Sequence, residues 1–524
     1  MKRAAIDIRV LTGLGAAFFF LLTLYPACAQ EEEEQEGTQE QVEAEDNVTL
    51  CVTNGVAKDG EKDLIVFDKD NPEEEWEVNA RVKFRPKPEK EYILRDKKYN
   101  WTAGEGFTVS KADDARPKIK ATAEAAGTEG KLKLHLSWEE ENLDEEDNPT
   151  GEIKIHPWSN DKASMRLLVP EFELQSVSYN LGDNGANGAL PFYDNGDPDK
   201  SAGDPTNKPR LITAPEYVKN DTRPADNIGL LYKKGITPKM KAQFAIMPAT
   251  AGDIVLFADQ SKEDILPAAH TDENQKLSGT SKEALLTCDA ALPDKVCSGT
   301  ATHEWRWQVY GREILLHNNE TGKDKKRVQS KVSNAFIVLN KPNTKNQEAW
   351  INCMKYGIQQ LDAQDALNSF TLVKKIVPEF RNNGKYTNRG SGSCLDLGQD
   401  ENVSNKYNSY KNITQLYSGN TYVNCYDSAY TIFVVFKFIG GQNELNVVWK
   451  KPWRYNDFGN AIMHSYNVYN NDLVFDPTPV WENETPANGE QQRGKLTEQE
   501  YFIKRDVPEM LRYPGQRIGS YLQW

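Results

Sequence analysis

The chain has 524 residues, 63 Lys and Arg against 78 Asp and Glu, a net charge of −15 and 38% hydrophobic residues. Its length accommodates about three domains of ordinary size, and its 11 Trp, 22 Tyr and 19 Phe are too many for a disordered chain. The acid excess argues against a nucleic-acid partner, which needs a basic face against phosphate, and against polybasic docking on anionic lipid.

Residues 1–29 read as an export signal. Lys2 and Arg3 open it, Leu11 to Leu24 form an apolar run, and Ala27-Cys28-Ala29 fits a small-x-small cleavage site. Lipidation at Cys28 is disfavoured because Tyr25 stands where a lipoprotein signal needs Leu. The apolar run is also short for a retained span, and no later segment is long enough to cross a bilayer. The expectation is a mature chain without an integral membrane segment, secreted or held in a periplasmic or extracellular space. Residues 30–46 carry nine acids and no base, which predicts a solvated, disordered linker. Much of the acidity is therefore a tail.

From 47 to 170 the apolar residues alternate. Trp76, Val78, Ala80, Val82 and Phe84 form one run, Leu132, Leu134, Leu136 and Trp138 a second, and Ile153 and Ile155 a third. One apolar face per strand predicts an antiparallel sandwich of immunoglobulin-like size, with His135 and His156 on the polar faces. A second β-rich, sandwich-like region is expected over 171–342, with strands near 172–181, 254–258, 305–309 and 336–339. The Gly-, Asn- and Pro-rich stretch 180–208 reads as a long loop. Its Asp194-Asn195-Gly196-Asp197-Pro198-Asp199 run lacks the spacing of a calcium loop. Export permits disulfides. Cys288 and Cys297 flank a short loop and are the favoured pair, with Cys353–Cys394 a second suggestion.

The texture changes at 343. Two helical patterns, 347–359 and 363–377, lie between Pro342 and Pro378. The segment 424–441 then reads as one buried helix, with Asn424 as N-cap, Asp427 in the first turn and Gly440-Gly441 as the stop. Cys425 falls in the first turn, where free N–H groups and the positive end of the helix dipole favour a nucleophilic sulfur and a developing oxyanion. His464, the sole histidine after 343, lies in a run that reads as a strand. Asn470-Asn471-Asp472 forms a turn signal before Leu473 to Pro479. If all three turn residues form the loop, Tyr469 opposes Leu473, and Asp476 falls on the face of His464, one diagonal step away. A two-residue loop would put Asp476 on the other face.

Cys425, Asp427 and Ala429 ahead of an apolar helix, His464 at a strand, and Asp476-Pro477-Thr478 after the next strand together resemble the transglutaminase-like superfamily, relatives of the papain fold. The departure is Val423, where that pattern carries glycine. The resemblance covers roughly 343–524. It implies a multidomain chain with N-terminal all-β, immunoglobulin-like sandwiches followed by an α+β transglutaminase/papain-like domain.

It further implies a Cys-His-Asp triad. Cys425 would attack an amide carbonyl, His464 would move the proton and Asp476 would orient the imidazole. Gln415 is a candidate side-chain oxyanion donor, and Trp449 and Trp453 are candidate groove walls. The function expected is exported, cysteine-dependent protein amide hydrolysis or cross-linking, with no cofactor and no metal. Its substrate would be a protein or peptide, including one on a cell-surface polymer. The competing expectation is a catalytically inactive surface or structural protein that uses the same folds to bind.

Overall fold

The protein is mostly β. The computed structural model describes residues 47–52, 64–71, 74–83, 92–159, 165–192, 211–262, 264–272, 274–317, 327–340, 351, 354–360, 363–376, 424–455, 459, 461–477 and 494–517. The export signal, the acidic linker, Asp194 to Asp199, Cys353, Cys394 and Gln415 lie outside them.

Two sheets enclose the first core. One has strand order Asn47–Val52, Trp76–Lys83, Lys118–Ala121, Phe107–Ser110. The other runs Leu64–Val66, Met165–Val169, Thr128–Leu143, Tyr92–Ala103, with Pro149–Ser159 also on Thr128–Leu143. Val78, Ala80, Leu132, Leu134, Leu136 and Trp138 are all buried between them, as alternation requires.

The Pro149–Ser159 strand departs from expectation. Ile153 and Ile155 are 52% and 63% exposed. Their register partners are Glu141 and Glu139, which lie on the face of the long strand opposite to Trp138, whereas His156 opposes Trp138. Cross-strand partners lie on one face, so the isoleucines point out and the histidine points in. His156 stacks on Trp138, with ring centroids 5.5 Å apart, and its Nε2 lies 3.0 Å from a Glu140 oxygen. His135 is exposed, as expected. No His, Cys, Asp or Glu cluster arranged for a metal occurs among the described residues.

The short strand Leu64–Val66 pairs in parallel with Met165–Val169 and is buried on both faces. Ile65 and Leu167 face the first core, while Leu64, Val66 and Leu168 face the next. A two-residue side-chain period gives each face its own core, so this pair is a wall common to both. The second core belongs to a ten-stranded sheet that includes Glu171–Ser178, Lys239–Met247, Ile254–Gln260, Cys297–Val309 and Gln329–Val338.

The expected Cys288–Cys297 disulfide is absent; both are free thiols. Cys288 ends the strand Glu283–Cys288, and Cys297 begins Cys297–Val309. In the sheet, Ala269–Thr271 and Ile254–Gln260 lie between those two strands. Closeness in sequence here reflects a connection between non-neighbouring strands. Burial pushes the Cys288 thiol up to about 12 and the Cys297 thiol up to about 11, so both are inert thiols.

The C-terminal third does not stand apart. The helix Cys425–Phe438 is buried from Asp427 to Phe438 on every side. One core joins its apolar residues to Leu231, Phe336 and Val338 of the ten-stranded sheet and to Leu445, Val447, Tyr469 and Phe475 of the last sheet. A helix covered all round needs no polar stripe, and its sequence has none. Leu339 N–H donates to the Ile439 carbonyl at 3.1 Å, and Gly440 adopts φ +89° with its Cα against the Asn340 backbone. A Cβ there would overlap that backbone, so the stop signal is also a contact point. Of the two earlier helical patterns, the second is a shorter α-helix, Ser369–Ile376. Asn368 Oδ1 accepts from Thr371 N–H at 2.9 Å and starts it late, after Asp365 at φ +64°. The first continues as a π-helix over Lys355–Gln360.

Candidate functional site

Cys425 is placed by its helix start. Asn424 Oδ1 accepts from Asp427 N–H at 3.0 Å, and Asp427 Oδ2 accepts from Asn424 N–H at 3.1 Å. This reciprocal capping box fixes the first turn, with Cys425 half-buried beside it.

The last sheet has strand order Leu473–Phe475, Ala461–Tyr469, Leu445–Tyr455, Gln516–Arg517. Asn467, three residues beyond His464, donates Nδ2–H to the Ala429 carbonyl at 2.9 Å. That bond ties the histidine strand to the helix one turn after Cys425. The hairpin register pairs Tyr469 with Leu473 and Asn467 with Phe475, so 470–472 form a three-residue loop. Asn470 and Asn471 take φ of +52° and +59°, a conformation Asn tolerates better than most residues. Asp476 thereby reaches His464, with Nε2 to Oδ2 at 3.1 Å. The alternative two-residue register is excluded.

Burial alone would lower the proton affinity of His464, but the Asp476 carboxylate outweighs it, and Cys425 adds a hydrogen-bonding and charge contribution of its own. The net effect pushes the imidazole up to about 9. Burial opposes ionisation of Asp476, yet His464, Arg505 and Tyr501 hold it well below the usual carboxylate range. At neutral pH the site therefore carries an imidazolium and a carboxylate. With Nε2 committed to Asp476, Nδ1 is the nitrogen left to serve a thiol.

Trp453 is buried, with its ring centroid 4.8 Å from that of His464. It packs against one side of the imidazole. An irregularity between Lys450 and Arg454 interrupts the strand register at this point. Trp449 pairs with Ser465 and is 39% exposed. The two tryptophans thus differ in setting, one packed against the imidazole and the other partly exposed.

Three residues at the site were not among the sequence candidates. Tyr501 lies within the helix Glu498–Lys504 and Arg505 caps its C-terminal end; the helix follows a backbone pairing of Val474 with Leu496 and Gly494. Tyr501 Oη donates a short hydrogen bond to Asp476 Oδ2, and Arg505 Nη2 donates to the same oxygen at 3.1 Å. The legible signal was the capping box of Thr497 and Glu500, with a Tyr-to-Arg spacing of one helical turn. Lys450, the third, opposes His464 in register, is fully buried, and places Nζ 3.0 Å from the Tyr513 ring centroid. Burial pulls its ammonium down to about 8, with Glu498 opposing that shift.

No protein-family model matches the chain, and no curated protein matches it. Among solved structures, a marsupial T cell receptor is similar at 8% identity, over 57% of this chain and 74% of that one, with a TM-score of 0.13. No helix among the described residues is long and apolar enough to cross a membrane.

Proposed function

We propose that the protein is an exported, cysteine-dependent acyl-transfer enzyme acting on protein or peptide amides through a transglutaminase/papain-like α+β domain, with the immunoglobulin-like sandwiches positioning it on its substrate. The observation that carries this reading is the convergence of Cys425, His464 and Asp476 from a helix start, a strand and the end of the next strand. Each has the residue type its role requires.

The chemistry follows from the charges. The Cys425 sulfur attacks the amide carbonyl carbon. The tetrahedral intermediate expels the amine, which takes its proton from His464, and a thioester remains on Cys425. Water or a second amine then attacks the thioester, His464 accepts the incoming nucleophile's proton, and the thiol sulfur departs. Asp476 holds the ring in place and stabilises its charged form through both halves. Trp453 packs against the imidazole and helps to hold the ring in place.

The test uses the full chain and Cys425→Ser with a glutamine-rich protein and a fluorescent amine. Amine incorporation or protein cleavage by wild type alone is expected. Equal products from both proteins would refute the reading.

A further inference from the structure

Asp476 does not serve His464 alone. Three donors from the described residues converge on its Oδ2: His464 Nε2 at 3.1 Å, Arg505 Nη2 at 3.1 Å, and Tyr501 Oη through the short bond. Tyr501 and Arg505 are one helical turn apart and so face the same way. Tyr501 is buried against Trp453 and Tyr466, with ring centroids 5.6 and 5.3 Å away. The Arg505 guanidinium lies 5.5 Å from the centre of the Tyr501 ring. The helix carrying them is itself anchored: Glu498, in its first turn, accepts from Tyr466 Oη at 2.7 Å and from Arg517 Nη2 at 2.7 Å.

We propose that Tyr501 and Arg505 are positioning residues that regulate the triad by fixing the Asp476 carboxylate and sharing its charge with His464. The inference rests on the acyl-transfer reading of the same site. A carboxylate oxygen that accepts from a guanidinium and a phenol offers less field to a third donor. The C-terminal helix therefore sets how strongly His464 holds its proton. It also holds the buried carboxylate in place against the imidazole. A packing role for Tyr501 and Arg505 would leave the histidine's proton affinity unchanged, which separates the two possibilities.

The experiment follows the imidazole signals of the histidine-labelled full chain by NMR across pH, with His464→Ala identifying the resonance. Arg505→Gln keeps the shape and removes the charge. The His464 titration midpoint is expected to rise by about one pH unit, Tyr501→Phe to move it the same way by less, and Arg505→Lys to restore most of the wild-type value. A folded Arg505→Gln with an unmoved midpoint overturns the proposal. If that variant does not fold, Tyr501→Phe decides by the same criterion. Alkylation of Cys425 by iodoacetamide separates this from failure of the parent reading. A rate unchanged in His464→Ala sinks the acyl-transfer reading, whereas a His464-dependent rate with midpoints indifferent to position 505 sinks only the positioning role.

Discussion

Two of the histidines in the interior, His303 and His464, sit in contrasting polar networks, one neutral and the other charged. In the ten-stranded sheet, His303 is fully buried, with Nε2 3.1 Å from the Pro267 carbonyl and Nδ1 3.4 Å from Tyr179 Oη. Its nearest partners are neutral, and burial lowers its proton affinity. A single tautomer, donating from Nε2 and accepting at Nδ1, satisfies both contacts. His464 is also largely buried, but its Nε2 faces a carboxylate, and it is held charged up to about 9. Burial by itself removes the charge from an imidazole; a counter-ion within hydrogen-bonding distance restores it. The same residue type is thus a structural element in one core and a candidate proton carrier in the other.

Removing the sulfur or the imidazole exposes the difference most strongly. Cys425→Ala should abolish amide turnover, and His464→Ala should lower it by about a thousandfold or more, read as kcat/KM. His303→Gln, by contrast, should change stability and leave turnover of the folded fraction near wild type.

Asp476→Asn should make His464 resemble His303. Its titration midpoint should fall from about 9 to below the ordinary histidine range. Arg505 would lose a buried partner, so the loss of stability should be about 3–5 kcal/mol by denaturant unfolding. Retention of a midpoint near the wild-type value would show that Asp476 is not what charges the ring.

Lys450 tests whether every buried cation here is compensated. Its ammonium has ring contacts but no hydrogen-bond acceptor among the described residues. Lys450→Met should therefore stabilise the protein by about 1–3 kcal/mol at pH 7. The wild-type lysine is held below its unfolded value, so the unfolded chain binds the extra proton between them. Wild-type stability accordingly recovers, and the gap to Lys450→Met should narrow, as pH rises above about 8. A gap constant from pH 7 to 10 would contradict this.

The smallest effect is the opposite pH response of the two regions. The raised affinity of His464 stabilises the fold fully below about pH 6.5, and that contribution is lost as pH rises through about 9. The lowered affinity of His303 costs stability below the ordinary histidine value, because the unfolded chain then binds a proton the folded one refuses. Hydrogen exchange should show the Cys297–Val309 strand opening more readily at pH 5 than at pH 7. The Ala461–Tyr469 strand should open more readily at pH 9.5 than at pH 7. Parallel responses in both strands would mean that other groups govern them.

Local signals were legible wherever one element contains the whole argument. The capping residues and the glycine stop set out the helix Cys425–Phe438, and parity counting across Asn470 to Asp472 narrowed Asp476 to two placements, of which the observed register selects the one against His464. Alternation marked Leu132 to Trp138 as core. The same alternation misled at Ile153 and Ile155, because which face of an edge strand turns inward depends on register with a neighbour. Spacing also misled at Cys288 and Cys297, where eight residues of connection join strands that are not neighbours.

The sequence by itself determined the elements and the chemical types at the site, since caps, turn residues and side-chain periods act within a few residues of chain. Only the tertiary structure decided what surrounds them. The helix–sheet core joining Phe336 to Phe433 and Phe475, the packing of Trp453 on His464, and the return of Tyr501 and Arg505 onto Asp476 all bring together residues far apart in the chain. Such contacts depend on how sheets stack and where strands register, and no local rule of spacing encodes them.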